Sequence, residues 1–572
     1  ALYALDGNVF EFVESFTCEN NAASVSAIDL VVNNAPLALQ RSGDHEFGVK
    51  DMTVYGDHST SMDAEEVIDF FLERDVALNA TATAGKGVTI TGVKNNYMAG
   101  ETVEFTLTTE KFYEVERVTV NGEEITASGG KYSYTLPADA TSVNIVVTTT
   151  QTAVVYEGKD NFSKNFNDTK ISNTAGQLYN NKDNGGTFLA PAVFDANFYA
   201  PQINSIPDNV RFGFRIYLKN AQGGGEFTVA DVVIGKTSGN WYLDIGYDLR
   251  GTQRNNYRLS NEQIQSVAEG TFKVIVVKNG AEHRLYAQNG DHFEYVASYT
   301  DDDATMVSFN TIDLLVHNSE GKGVGEYGVH DMTVYSEYDA TMSDSELLAF
   351  LVDGKIGYRE YAGKGDIQKN FSDIQSGTTN QIQGPLYSCG DHNNSLSRVT
   401  VTSASLYLED PSGITENGTR FGLRIFNRIG NATNNNLVAD IVIARQGNGW
   451  RLDIGYGIAI DSNQPSTAYT LSDAQLTALA NGSLQIFIVQ RGSAYTLYAL
   501  DGGTLDKVEA YTDTKNGTSV SAIDFVVNTG AVALERSGDR DCAVKGTTVY
   551  GNFDETLSDE ELVELFAGSN AE

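Results

Sequence analysis

The chain has 572 residues, 41% hydrophobic and 10% aromatic, which supplies several cores and excludes disorder as the dominant state. Its 39 Lys and Arg against 76 Asp and Glu leave a formal charge of −37. Phosphate would be repelled, so nucleic acid is excluded as a general partner and anionic membrane surfaces are disfavoured. Neutral glycans and divalent cations stay open. Cys18, Cys389 and Cys542 make no CxxC pair or disulfide framework, and the seven His make no HExxH. No run of about 18 apolar residues marks a membrane span.

In chain order, Ala1-Leu2-Tyr3 reads as the middle of a strand, so the chain is expected to be a window of a longer protein. Residues 2–71 then recur at 497–566. Leu2-Tyr3-Ala4-Leu5-Asp6-Gly7 matches Leu497 through Gly502, and Thr53-Val54-Tyr55-Gly56 matches Thr548 through Gly551, all at one offset of 495. A weaker copy spans about 285–352. Upstream of it, Arg211-Phe212-Gly213-Phe214-Arg215-Ile216 pairs with Arg420 through Ile425, and Trp241 through Tyr247 pairs with Trp450 through Tyr456. The expected domains are therefore 1–75, the last third of a truncated unit; 76–152, a separate module; and two homologous units, 153–355 and 356–568. Two organisations account for this: one tandem chain with a period of about 495, which we prefer, or subunits that lend N-terminal segments to neighbours.

The large copies alternate as short strands with Gly, Asn and Asp turns, which predicts antiparallel sandwiches. Phe212, Phe214 and Ile216 share one face, with Arg211, Gly213 and Arg215 on the other. Trp241, Leu243 and Ile245 read as core, with Asp244 opposite. Lys273 through Val277 and Leu285 through Ala287 predict a hairpin across Asn279-Gly280. Ser260-x-x-Gln263 and Ser472-x-x-Gln475 predict capping boxes, with Gly270 and Gly482 closing those helices. A second helix per copy starts at Asp63, Ser343 or Ser558, each followed by Glu three residues on.

The ending Val49-Lys50-Asp51-Met52-Thr53-Val54-Tyr55, followed by a capped acidic helix, resembles the close of laminin-G-like, concanavalin A-like jelly rolls. The hairpins at Lys278-Asn279-Gly280 and Arg491-Gly492 are similar to that family's central hairpin. Residues 76–152 run through Gly87-Val88-Thr89-Ile90, Val118-Thr119-Val120-Asn121-Gly122 and Tyr132-Ser133-Tyr134-Thr135-Leu136-Pro137. This order resembles the internalin-type B-repeat of bacterial surface proteins. Together these imply an all-β chain: tandem concanavalin A-like jelly-roll sandwiches with short capped helices, plus one small β-rich module of β-grasp or Ig-like size. The implied setting is extracellular, at a bacterial surface or secreted. The jelly-roll fold serves lectins, glycosidases and spacers alike, so function has to come from sites.

Retaining glycosidases need a carboxylate pair about 5–5.5 Å apart. No predicted strand carries an E-x-D-x-x-E pattern, and the acidic runs sit at helix starts, where the macrodipole explains them. No nucleophile elbow or phosphate loop follows a strand, and Gly223-Gly224-Gly225 reads as a turn. A non-catalytic segment is expected. The best ligand-binding candidates are Arg215, Asp231 and Asp244, repeated as Arg424, Asp440 and Asp453. On neighbouring strands, one Arg could hold two carboxylates and leave lone pairs for sugar hydroxyls; the plainer alternative is a structural ion-pair lattice. Asp29, Asp313 and Asp524, each after Ile and near Asn33, Asn318 and Asn528, are candidates for Ca²⁺, the one cofactor the sequence suggests. The loops Asn180–Asn184 and Gly390–Asn394 are oxygen-rich but lack EF-hand order. Nine N-x-S/T triplets, such as Asn161-Phe162-Ser163, are what an Asn- and Thr-rich chain produces.

The reading is a segment of a large extracellular bacterial tandem-repeat protein forming a cell-surface stalk, fibre or adhesin. Its expected partners are neighbouring repeats or copies of itself, with glycan binding by the jelly rolls as the sharper expectation. The rivals are a carbohydrate-binding region of a secreted glycosidase and a purely structural self-assembling filament.

Overall fold

The computed structural model describes all residues except 7–8, 18–26, 32–47, 57–60, 73–76, 169–172, 187–188, 220–225, 247–256, 302–307, 319–320, 375–380, 393–398, 416, 428–435, 455–468, 502, 514–518, 528, 530 and 570–572. Cys18, Asn33, Gly223–Gly225, Asn393, Asn394 and Asn528 thus lie outside the described residues. The chain forms two compact units, Ala1–Val154 and Val155–Glu572. Among the described residues, no helix is long and apolar enough to cross a membrane.

In the first unit, the small module is entirely strand and turn. Leu78–Thr83 and Val143–Gln151 run parallel, and Tyr113–Val120 pairs antiparallel with Val143–Gln151. A three-stranded sheet, Val88–Thr91, Thr102–Thr109 and Tyr132–Thr135, completes it. Alternating residues of both sheets, among them Val103, Phe105, Val118, Val120, Ile145 and Val147, form one core.

The second unit holds two sandwiches of one design. In the first, the strands Val154–Glu157, Glu326–Ser336, Ala192–Tyr199, Phe272–Asn279, Glu282–Asn289 and His292–Thr300 lie side by side in that order. Asn161–Asn165 also pairs with Glu326–Ser336. The facing sheet runs Asn173–Asn180, Thr311–His317, Arg211–Lys219, Glu226–Thr237, Asn240–Ile245 and Tyr257–Arg258. The second sandwich repeats both orders with strands between Arg359 and Gly551. Two antiparallel sheets face to face are what the alternation predicts: Phe212, Phe214, Ile216, Trp241, Leu243 and Ile245 are all buried between them. The predicted caps form. Ser260, Ser343 and Ser472 make reciprocal capping boxes, and Gly270 and Gly482 adopt left-handed φ of 77° and 74°.

The central hairpin is the same object in all three copies. Each has a bulge at the corresponding place, between Leu2 and Tyr3, Leu285 and Tyr286, and Leu497 and Tyr498. The tyrosine then reaches the first turn of the closing helix: Tyr3 Oη donates to Glu65 at 2.6 Å, Tyr286 to Asp344 at 2.5 Å, and Tyr498 to Glu560 at 2.9 Å. The rest of the first copy differs from expectation. Residues 27–31, including Asp29, are exposed and form no strand, whereas Asp313 and Asp524 lie within strands. Thr311–His317 is an interior strand, held between Asn173–Asn180 and Arg211–Lys219. Among the described residues of 1–75, no strand flanks Asp29.

The central strands come very close at one point in each sandwich. A Cβ on Gly213 would stand 2.0 Å from Val232 O, and one on Gly422 would stand 2.0 Å from Ile441 O. Gly422→Ala is expected to destabilise the second sandwich by about 1–3 kcal/mol. Urea unfolding followed at Trp450 in a Trp241→Phe background measures it; an unchanged midpoint would refute the steric argument.

Between the two sandwiches the chain is clamped rather than loosely tethered. Phe293 N donates to Lys355 O at 2.8 Å, and Gly357 N donates to Phe293 O at 2.9 Å. Tyr295 N donates to Asn552 O at 2.8 Å, and Asn552 Nδ2 returns a bond to Tyr295 O at 3.0 Å. Arg359, from the first strand of the second sandwich, meets Glu294 of the first at 2.6 Å, and Glu294 is 0% exposed. Tyr257 Oη donates to Glu294 at 2.8 Å, and Asn289 Nδ2 donates to it at 2.6 Å.

Candidate functional site

Two features that look separate in the sequence form one row. Arg215 stands opposite Asp231 on one neighbouring strand and opposite Asp313 on the other. In the second sandwich, Arg424 stands between Asp440 and Asp524 in the same way. Residues directly opposite in antiparallel strands point to the same side, so each arginine lies between two carboxylates. Asp244 and Asp453 are opposite Val233 and Val442, two residues along from Asp231 and Asp440 and therefore on the same face. This face is the one turned away from the Phe, Ile and Trp core, as expected.

The two rows differ in tightness. Arg424 grips Asp440 through two bonds, Nε–Oδ1 at 2.6 Å and Nη2–Oδ2 at 2.7 Å, with side chains 5% and 0% exposed. This is the fork-to-fork geometry that only a guanidinium supplies. Arg215 meets Asp231 through Nη2 at 3.2 Å, and its side chain is 17% exposed. Asp244 spends Oδ1 on the N–H of Ile245 at 2.8 Å. Asp524 is half-buried; burial raises its pKa, opposed by the charges of Arg424 and Lys364.

The metal candidates do not assemble a cage. Asp29 lies in the exposed, strandless segment described above. Asp313 and Asp524 sit beside arginines, which already supply positive charge there. Among the described residues, no group of three or more His, Cys, Asp or Glu is placed to hold a metal ion. Trp241 and Trp450 are buried, as their alternation predicts, and the Trp450 indole donates to Pro411 O at 2.9 Å. Cys389 and Cys542 are buried free thiols, and burial pushes the Cys542 thiol up. The clamp residues Tyr257, Glu294 and Arg359 escaped sequence reasoning. No local pattern marked them: their meeting depends on pairing between segments distant in sequence.

No family model matches the chain, and no curated protein matches it. Among solved structures, it is similar to the CBM2 module of the evolved Dit of Lactobacillus casei BL23 phage J-1, with 13% identity over 44% of this chain and 90% of that one and a TM-score of 0.20. It is similar to the marine PL-14 alginate lyase from Aplysia kurodai, with 10% identity over 36% and 94% of the two chains and a TM-score of 0.21. The CBM40 of the Ruminococcus gnavus IT-sialidase gives 13% identity over 34% and 96%, with a TM-score of 0.18. These likenesses concern the fold alone.

Proposed function

We propose that this chain is a non-catalytic segment of an extracellular bacterial tandem-repeat protein, a stalk or adhesin whose jelly rolls present glycan-binding surfaces away from the cell. The observation that supports it is the clamp between the sandwiches. Domains on a plain linker move independently by default. Here four hydrogen bonds involving backbone groups and a buried ion pair join one sandwich to the next. A rod that projects a binding surface needs such a joint, because each unit of a linear array is positioned only by its neighbours. An enzyme accessory domain has no comparable need.

The test is a distance measurement on the full chain. Spin labels at Gln265→Cys and Ala474→Cys, in a Cys18→Ser background, place one probe on each sandwich at exposed helical positions. A single narrow distance distribution is expected. A broad one would remove the rod. The glycan part is tested on an array, where loss of a hit in Arg215→Ala or Asp244→Ala would assign binding to the charged row.

A further inference from the structure

At one end of the second sandwich, a groove of about 410 Å³ opens between the turn Pro411–Gly413, the hairpin tip before Trp450 and the helix Asp473–Asn481. Its size falls in the range of small-molecule sites. Trp450 and Leu476 contribute apolar lining, and Asp410, Arg445, Asn448 and Asn481 contribute polar groups. Asp410, Asn448 and Asn481 are exposed, while Trp450 is buried and Arg445 half-buried. The groove lies apart from the Asp440–Arg424–Asp524 row.

The first sandwich provides an internal comparison. There the turn Ile203–Ser205 packs against the helix Asn261–Glu269, and Ile203 is 1% exposed. In the second sandwich the turn Pro411–Gly413 has the same length and also packs on its helix, with buried Pro411 at the place of Ile203 and the smaller Ser412 and Gly413 where Asn204 and Ser205 stand. The cation also changes. Lys236 spends its ammonium on Ile206 O at 2.7 Å. Arg445 makes the equivalent bond to Ile414 O at 2.8 Å with Nε. Its two Nη groups make no hydrogen bond among the described residues, so two donors remain on the groove wall.

We infer that this groove binds a neutral sugar ring, and the inference deepens the glycan reading above by giving it a second place on the second sandwich. A pyranose has an apolar face and a rim of vicinal hydroxyls, each both donor and acceptor. The Nη pair of Arg445 suits two adjacent hydroxyl oxygens. The side-chain amides of Asn448 and Asn481 both donate and accept. Asp410 accepts from Ser412 Oγ at 2.8 Å and Gly413 N at 3.1 Å, and faces Arg540 at 3.3 Å, which fixes a carboxylate on the rim. That carboxylate and the overall charge of −37 oppose an acidic sugar.

The chain contains two tryptophans, so in Trp241→Phe the emission reports on Trp450 alone. Full-length Trp241→Phe is titrated with the methyl glycosides of glucose, galactose, mannose and N-acetylglucosamine, with ligand-observed NMR for binding and Trp450 emission for its location. Saturable binding to at least one glycoside, weakened about tenfold or more in Arg445→Lys and in Asn481→Ala, is expected. Arg445→Lys copies the first sandwich's own solution and keeps the bond to Ile414 O, so it isolates the Nη donors. No saturable binding, or binding unchanged in both variants, overturns the site. The same proteins on a glycan array separate the two claims. Hits that survive both variants but vanish in Asp231→Asn retain the glycan reading and remove the groove; no hit with any protein removes the glycan reading itself.

Discussion

Arg424→Ala is expected to destabilise the second sandwich by about 3–5 kcal/mol, the usual result of stranding a buried charge. Asp440 is 0% exposed and takes both of its short bonds from that guanidinium. With the guanidinium gone, Asp440 faces Asp524 across the strand between them, with Asp453 close along the same face. At least one carboxylate must then take up a proton to stay buried. The loss should therefore shrink at low pH, where the carboxylates are protonated at no further cost. Arg215→Ala should cost less, because Arg215 meets Asp231 through one nitrogen at 3.2 Å, without the two-bond fork of Arg424, and is partly exposed. The triple variant Arg424→Met, Asp440→Leu, Asp524→Leu should recover most of the loss, since apolar replacement of a buried ion group is often neutral or stabilising. Urea unfolding reads the second-sandwich variants at Trp450 in a Trp241→Phe background and Arg215→Ala at Trp241 in a Trp450→Phe background. Equal losses for Arg424→Ala and Arg215→Ala would show that bidentate geometry is not what holds the row. A ligand site would leave a different signature, with binding lost and stability nearly unchanged.

Much of this architecture was legible because it rests on local rules. The capping boxes at Ser260, Ser343 and Ser472 need only residues three apart. The burial of Phe212, Phe214 and Trp241 follows from a period of two. Internal repetition carried those assignments from one copy to the next. What could not be read was adjacency between distant segments. Asp313 belongs with Arg215 because Thr311–His317 lies beside Arg211–Lys219, although about a hundred residues separate them. Repetition also misled at Asp29, which lies in an exposed segment outside the described strands, whereas Asp313 is part of a sheet. The groove beside Trp450 comes from the opposite cause. It arises where the two sandwiches diverge, at Asn204-Ser205 against Ser412-Gly413 and Lys236 against Arg445, and a search for similarity passes over such differences.

Arg359→Ala is expected to free the joint between the sandwiches. Glu294 would lose the cation that it meets at 2.6 Å while still 0% exposed. The opening free energy of the clamp should fall by about 3 kcal/mol, and amide exchange at Phe293, Tyr295 and Gly357 should quicken about a hundredfold. Lys355→Ala is the control. It removes the exposed pair with Asp291, whose side chains are 65% and 78% exposed, and such pairs contribute little. The joint should also respond to pH in two directions. Burial alone would raise the pKa of Glu294, but His292, Arg359 and Asn289 outweigh it and hold the carboxyl below the usual range. Its contribution is therefore present above the ordinary glutamate pKa and lost as pH falls through the depressed value. The His292 pKa is raised, first by the Glu294 carboxylate 3.7 Å from its Nε2, with burial opposing. That contribution is complete below the ordinary histidine pKa and lost as pH rises through the raised value. The clamp should thus be tightest in the mildly acidic interval between these edges. His292→Ala should erase the upper edge, and both His292→Ala and Arg359→Ala should move the lower edge upward because Glu294 then titrates higher. Exchange at Phe293 that is flat across both edges, or unaffected by Arg359→Ala, would mean that backbone pairing with Lys355 and Gly357 holds the joint without the ion pair.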